Sequence, residues 1–204
     1  MQLSAGQTLY SPGDVVQAVY FPGDAVLSVV TVMQDGRAVE AATVGNEGVV
    51  GVITALAAVP AHARTFAQIG GSIFRLPAAH LREMVAESPQ LLKVLLVHVH
   101  QSIAQSEQSV ACNALHSARE RLARWLLLSQ DRVGSAEIKL TQDYLAVMLG
   151  VQRTTVSSLA QEFKQCGAIR YSRGRILIID RPALEDATCE CYLAGRWTEH
   201  AVRA

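Results

Sequence analysis

The chain has 204 residues, half of them hydrophobic and 18% charged, which excludes a disordered acidic segment and leaves room for one large domain or two small ones. Its longest apolar stretches, such as 49–59, are broken by glycine and fall well short of the ~20 residues of a membrane span. The formal net charge is zero, yet residues 139–181 hold seven Lys/Arg against three Asp/Glu while residues 1–90 hold four against seven; one basic segment inside a neutral chain points to a local anionic partner, and nucleic acid is the commonest large one.

From Gly6 to Leu76, glycines punctuate short runs of Val, Thr, Ile and Ala. That spacing predicts strands and turns, arranged as a barrel or jelly roll of about eight strands with no long helix. Val26–Val32 and Ala38–Val44 flank Gln34-Asp35-Gly36 and read as a hairpin. A short helix is expected over Pro77–Val85, with proline in its first turn. A longer one, roughly 20 residues by its periodicity, follows Ser88-Pro89. On it Leu92, Leu96, Val99, Ile103, Ser106 and Val110 recur at steps of four and three, the spacing that keeps a seam facing a partner helix. Packing of an amphipathic helix on its own barrel is the alternative, and the helix's length favours a dimer.

Near residues 111–117 the composition shifts, and a helix over Ala118–Leu128 opens what reads as a separate domain. Residues 140–163 read as helix, tight turn, helix. Thr141 is placed to cap the first helix; Leu145, Met148 and Leu149 form its inner stripe; Gly150 permits the turn, and Val151 plugs the angle between the helices. In the second helix Val156, Leu159 and Phe163 point inward, leaving a small, polar, cationic face. Its N-terminal side chains suit a DNA major groove, with Arg153 the candidate for guanine and Gln152, Thr154, Ser157, Ser158 and Gln161 beside it. Thr141 and Gln142 are placed to hold the phosphate backbone. Residues 169–179 read as a hairpin tipped by Ser-Arg-Gly, a wing bringing Arg173 and Arg175 to phosphate.

Taken in order, Leu9–Asp14, Val19–Asp24, Asp35-Gly36, Val44–Gly51, Glu120–Leu127, Leu149–Val156 and Tyr171–Gly174 resemble bacterial transcription regulators of the cyclic AMP receptor protein and fumarate-nitrate reduction regulator (Crp/Fnr) family. The resemblance covers about residues 5–192. It implies an α+β protein with a cyclic-nucleotide-binding-like β-roll over 1–88, a dimerisation helix over 89–114, a winged helix-turn-helix over 115–192 and a tail over 193–204. It also implies a homodimer on a palindromic, double-stranded DNA operator that adjusts RNA polymerase recruitment.

The departures from the family are specific. Cyclic-AMP-binding members cradle the nucleotide with a Gly-Glu and an Arg-Ser pair, whereas here Gly51 precedes Val52 and only a displaced Arg64-Thr65 remains as an effector candidate. The effector is unknown, and a regulator dependent on a cyclic nucleotide or another small ligand, inactive on DNA when ligand-free, is therefore the alternative rather than the leading reading. The cysteine-rich N-terminus of the oxygen-sensing members is missing, and the start suggests a shortened chain. Thr154 and Ser158 stand where the best-known members place Glu and Arg, so the operator should differ.

No catalytic residues are read, and a non-enzyme without cofactor is expected. A cupin-like metalloenzyme using His62 and His80 wants a His-x-His strand motif that residues 1–76 lack. His98 and His100 lie on opposite sides of their helix. Cys189-Glu190-Cys191 by itself lacks a second ligand pair, so no metal is expected. Cys112 and Cys166 read as apolar fillers, and reduced thiols are expected throughout. A pure effector-binding module would leave the basic domain idle. With neither span nor secretory signal in the sequence, a cytoplasmic protein without membrane contact is expected.

Overall fold

A computed structural model describes residues 1–172 and 174–194. Seven antiparallel strands build the N-terminal roll: β1 (Gln2–Leu3), β2 (Thr8–Tyr10), β3 (Ala18–Pro22), β4 (Val26–Val32), β5 (Ala38–Val44), β6 (Arg64–Ile69) and β7 (Gly71–Pro77). They form two sheets, ordered β1-β7-β3 and β2-β6-β4-β5. Between the sheets lie Leu3, Ala25, Leu27, Val44, Val50, Ala67 and Ile73. The β4–β5 hairpin pairs Leu27 with Val44 and Val32 with Ala38. Its turn works because Gly36 takes φ 83, a left-handed conformation that costs a glycine little.

The roll differs from the sequence expectation in one element. Val52–Ala57, inside the stretch read as strands and turns, is a short helix, α1. Gly51 at its N-cap adopts φ 89 and turns the chain out of the sheet, after which Val52 and Ala55 bury one face. That face packs with Val19, Ala78, Leu81 and Leu95, so a β-branched run becomes helical because tertiary burial rewards an i, i+3 face there. Helix α2 (Ala78–Glu87) begins one residue later than expected, with Pro77 as its N-cap instead of its first turn.

Helix α3 (Pro89–Leu115) spans 27 residues, longer than the periodicity indicated. The Ser88 hydroxyl accepts from Leu91 N at 3.2 Å, and Pro89 occupies the first turn, where its missing N–H costs nothing. A capping box opens α4 (Ala118–Val133): Ser117 and Glu120 satisfy each other's backbone N–H groups. Then come β8 (Glu137–Lys139), α5 (Gln142–Leu149), α6 (Arg153–Gln165), β9 (Ile169–Ser172), β10 (Arg175–Ile178) and α7 (Arg181–Ala187), with the sheet ordered β8-β10-β9. This is a winged helix-turn-helix. Leu122, Leu126, Leu127, Ile138, Leu145, Leu149, Val156, Phe163, Ile176 and Leu184 close its core.

The two halves share a core. Val30 and Phe66 of the roll belong to the same buried cluster as the C-terminal residues, and the Phe66 and Tyr144 rings lie 5.9 Å apart. No helix among the described residues is long and apolar enough to cross a membrane.

Candidate nucleic-acid interface

Two short connections set the recognition geometry. Thr141 Oγ1 accepts from Tyr144 N at 3.3 Å and so caps α5. Gly150, at φ 62, ends that helix in the left-handed conformation. The chain re-enters helix at Arg153, and Val156, Phe163 and Leu159 bury its inner face at 0%, 1% and 9% exposure. The opposite face is open: Gln152, Arg153, Thr154, Ser158 and Gln161 are exposed, and Thr141 is exposed at the start of α5. Ser157 is half-buried and donates to Gln142 Oε1 at 2.7 Å, tying the starts of the two helices together. These two residues therefore brace the turn in the free protein.

Arg153 carries a feature that the sequence does not announce. Its guanidinium lies 3.4 Å from the Asp143 carboxylate, and both side chains are about two-thirds exposed. Asp143 sits in the first turn of α5, where a carboxylate complements the helix dipole. Nothing in its spacing of ten residues from Arg153 signals the pair. On the wing, β9 and β10 pair from Ile169↔Ile178 to Ser172↔Arg175. Arg175 is exposed, 3.6 Å from Glu137, and is cross-strand to Lys139. Arg173 lies outside the described residues. Lys139, Lys164 and Arg170 are also exposed, and the sequence reading had not singled them out.

The expected dimer seam divides in two. Leu96, Ile103 and Val110 are 58%, 50% and 70% exposed and recur every seven residues, with Leu92 at 37% one turn earlier. Val99 instead packs with the roll against Val49, Val52 and Leu95, and Ser106 donates to Ser102 O at 3.0 Å. The reason is that α3 spends one face on its own roll, as Leu95 and the His98–Val49 O contact of 2.8 Å show, while the heptad stripe stays uncovered.

The effector candidates are separated by the strand pleat. Arg64 is half-buried, donates to Thr8 Oγ1 at 3.1 Å and stacks over the Phe66 ring at 5.1 Å. Thr65, the next residue, is fully buried. Successive side chains on a strand face opposite ways, so the two do not converge on one ligand.

A polar network that sequence reading missed joins the roll to the winged domain. Glu40 on β5 accepts from Ser28, from Gln68 Nε2 at 3.0 Å and from Trp125 Nε1 at 3.2 Å. Desolvation in the cleft pushes its carboxyl above the usual range despite these donors and the nearby Arg132. Arg132 Nε also lies 2.8 Å from Glu47; burial alone raises that carboxyl, but the arginine outweighs it and holds it below the usual range. His62, His80 and His100 are exposed and form no cluster.

Comparison with known proteins agrees with both halves. The family model of the cyclic nucleotide-binding domain matches residues 1–88, and that of the Crp-like helix-turn-helix domain matches residues 120–187. A "global nitrogen regulator" of Synechococcus elongatus is 25% identical over 195 residues, covering 90% of this chain and 86% of that one. The "transcriptional regulator SdrP" of Thermus thermophilus is 31% identical over 104 residues, 48% of this chain and 52% of that one. Among solved structures, a CRP-family transcriptional regulator of Thermus thermophilus superposes with a TM-score of 0.77 at 19% identity, covering 92% of this chain and 95% of that chain. FixK2 of Bradyrhizobium japonicum gives 0.77 at 17% identity, covering 93% and 96%.

Proposed function

The chain belongs to the Crp/Fnr family of transcription regulators, and from that premise we propose that it acts as a homodimer, placing two copies of α6 in successive major grooves of an inverted-repeat operator. The observation that carries this reading is the two-sided character of α6. Its apolar side is locked in the core, while Arg153, Thr154, Ser158 and Gln161 stand free of it. Arg153 then reads a base edge, its neighbours contact bases or phosphate, and Thr141, Gln142, Arg173 and Arg175 hold the backbone.

The uncovered stripe of Leu96, Ile103 and Val110 supports the dimer, because apolar side chains repeating by seven on a long helix pair with a second copy of the same helix. Recognition helices related by such an axis sit about 34 Å apart, one turn of duplex. In this reading residues 1–88 sense, 89–114 dimerise, 115–192 bind DNA, and RNA polymerase is the downstream partner in the cytoplasm.

One observation favours a ligand-dependent form of the same function. The sensory sheet touches α4 and α5 directly through Glu40, Trp125, Ser28 and Met148, so a ligand that prefers one arrangement of the sheet shifts the DNA-binding domain by its differential affinity.

Selection of bound sequences from random duplex DNA by the purified, ligand-free protein tests the proposal. An enriched inverted repeat is expected. A folded dimer that enriches nothing overturns constitutive binding and favours the ligand-dependent form.

A further inference from the structure

Helix α3 ends where the chain re-emerges after α7, and four ligand-type side chains meet there. Cys112 and His116 are four residues apart, on one face of the last turn and its cap. Cys189 and Cys191 arrive from the segment after α7. All four ligand atoms lie within 4.8 Å of one another. Cys112, Cys189 and Cys191 are 1%, 5% and 1% exposed.

We propose that Cys112, His116, Cys189 and Cys191 form a Cys3His site for a single zinc-like divalent ion, which staples the dimerisation helix to the outer edge of the DNA-binding domain. Tetrahedral zinc, with Zn–S near 2.3 Å and Zn–N near 2.0 Å, sets sulfur pairs about 3.8 Å apart and sulfur–nitrogen pairs about 3.5 Å apart. Cys112 Sγ and Cys189 Sγ are 3.6 Å apart, and Cys191 Sγ and His116 Nδ1 are 3.5 Å apart.

The surroundings are those of a ligand set rather than of packed thiols. His116 presents Nδ1 to the sulfurs while its Nε2 lies 3.2 Å from the Glu190 carboxylate. That is the carboxylate–histidine arrangement that orients a metal-bound imidazole. Gln108, one turn before Cys112, donates from Nε2 to Cys191 Sγ at 2.9 Å, as donors around a ligating thiolate do. Three thiolates, a neutral imidazole and a divalent ion carry one net negative charge, and Arg124 places its positive charge beside Cys112. Its Nε is buried with no hydrogen-bond partner among the described residues. An iron–sulfur cluster needs its ligands spread around a core of several atoms, whereas these converge on the space of one ion. Four protein ligands close the coordination sphere, so the site is structural. Its place at the α3–α4 corner gives it leverage over the angle between the dimer axis and α6.

The test uses the full chain, purified under reducing conditions and titrated anaerobically with cobalt(II), then with zinc. Expected are one cobalt per chain, thiolate-to-cobalt charge-transfer absorption, intense tetrahedral ligand-field bands and displacement of both by one equivalent of zinc. C166S, at an exposed cysteine, leaves the spectrum unchanged, and C191S removes about a third of the charge-transfer intensity or abolishes binding, by loss of one of three thiolates. E190Q keeps the spectrum and weakens zinc affinity by about 10- to 100-fold. A wild-type chain that binds no stoichiometric cobalt overturns the proposal whatever the variants do. So does a spectrum indifferent to C191S, or a Cys112–Cys189 disulfide in protein prepared with zinc present.

Discussion

Arg153→Ala separates recognition from folding. The side chain is 66% exposed and its charged neighbour Asp143 is 69% exposed at 3.4 Å. Such a surface pair is worth about 0–1 kcal/mol, so the thermal midpoint should move by no more than about 4 °C. Binding is another matter. A bidentate arginine–guanine contact discriminates by about 1–3 kcal/mol. Two half-sites double this to about 2–6 kcal/mol, a loss of roughly 30-fold to 10⁴-fold in operator affinity at tenfold per 1.4 kcal/mol. The assay is titration of the selected operator and a set of single-base variants, at fixed salt, with wild type and R153A. R153A should lose its preference at one position in each half-site and keep it elsewhere. In the free protein the arginine must leave Asp143 to reach a base, so Asp143→Asn should tighten binding, by up to about fivefold per half-site. A uniform loss across all sequences, or an unchanged operator affinity, would refute the assignment of Arg153 to base readout.

Arg175→Ala should weaken binding to every sequence alike and lower the salt slope by about one per half-site; a loss confined to one base position, in the same titrations repeated over a salt series, contradicts its placement on phosphate. Leu96→Glu should give monomers in analytical ultracentrifugation, whereas Val94→Glu, equally exposed but on the opposite side of α3, should remain dimeric; the reverse pattern disproves the stripe. Glu40→Gln tests the interdomain network. A carboxyl raised by burial contributes stability that is present below the ordinary carboxylate range and lost as pH rises through its elevated value. The melting temperature of E40Q minus that of wild type should therefore grow as pH rises from the acid side, and a difference that is flat or grows toward acid rejects the raised carboxyl.

Local chemistry made much of this chain legible before any fold was known. The β4–β5 hairpin follows from two β-branched runs around Asp35-Gly36. The α5–α6 turn follows from a capping threonine, a glycine at the crossing and an i, i+3, i+7 inner face. In each case the residues that decide the structure lie within a few positions of one another, and periodicity reports which side is buried. Where a segment's partner was distant, the pattern was ambiguous. Val52–Ala57 carries strand-forming residues but became a helix because α2 and α3 offered it a surface. Val99 shares the spacing of Leu96 and Ile103, yet the roll claims it.

The amino-acid sequence by itself determined the order of roll, long helix and winged domain, and the polar cationic face of α6. Tertiary structure alone decided what meets across long separations: Asp143 with Arg153, Glu40 with Trp125, and above all Cys112 and His116 with Cys189 and Cys191. Sequence spacing encodes the faces of single elements, because side-chain direction repeats along a helix or strand. It does not encode which elements are brought together, since that is settled by the burial of whole faces and by the chain closures that burial makes affordable.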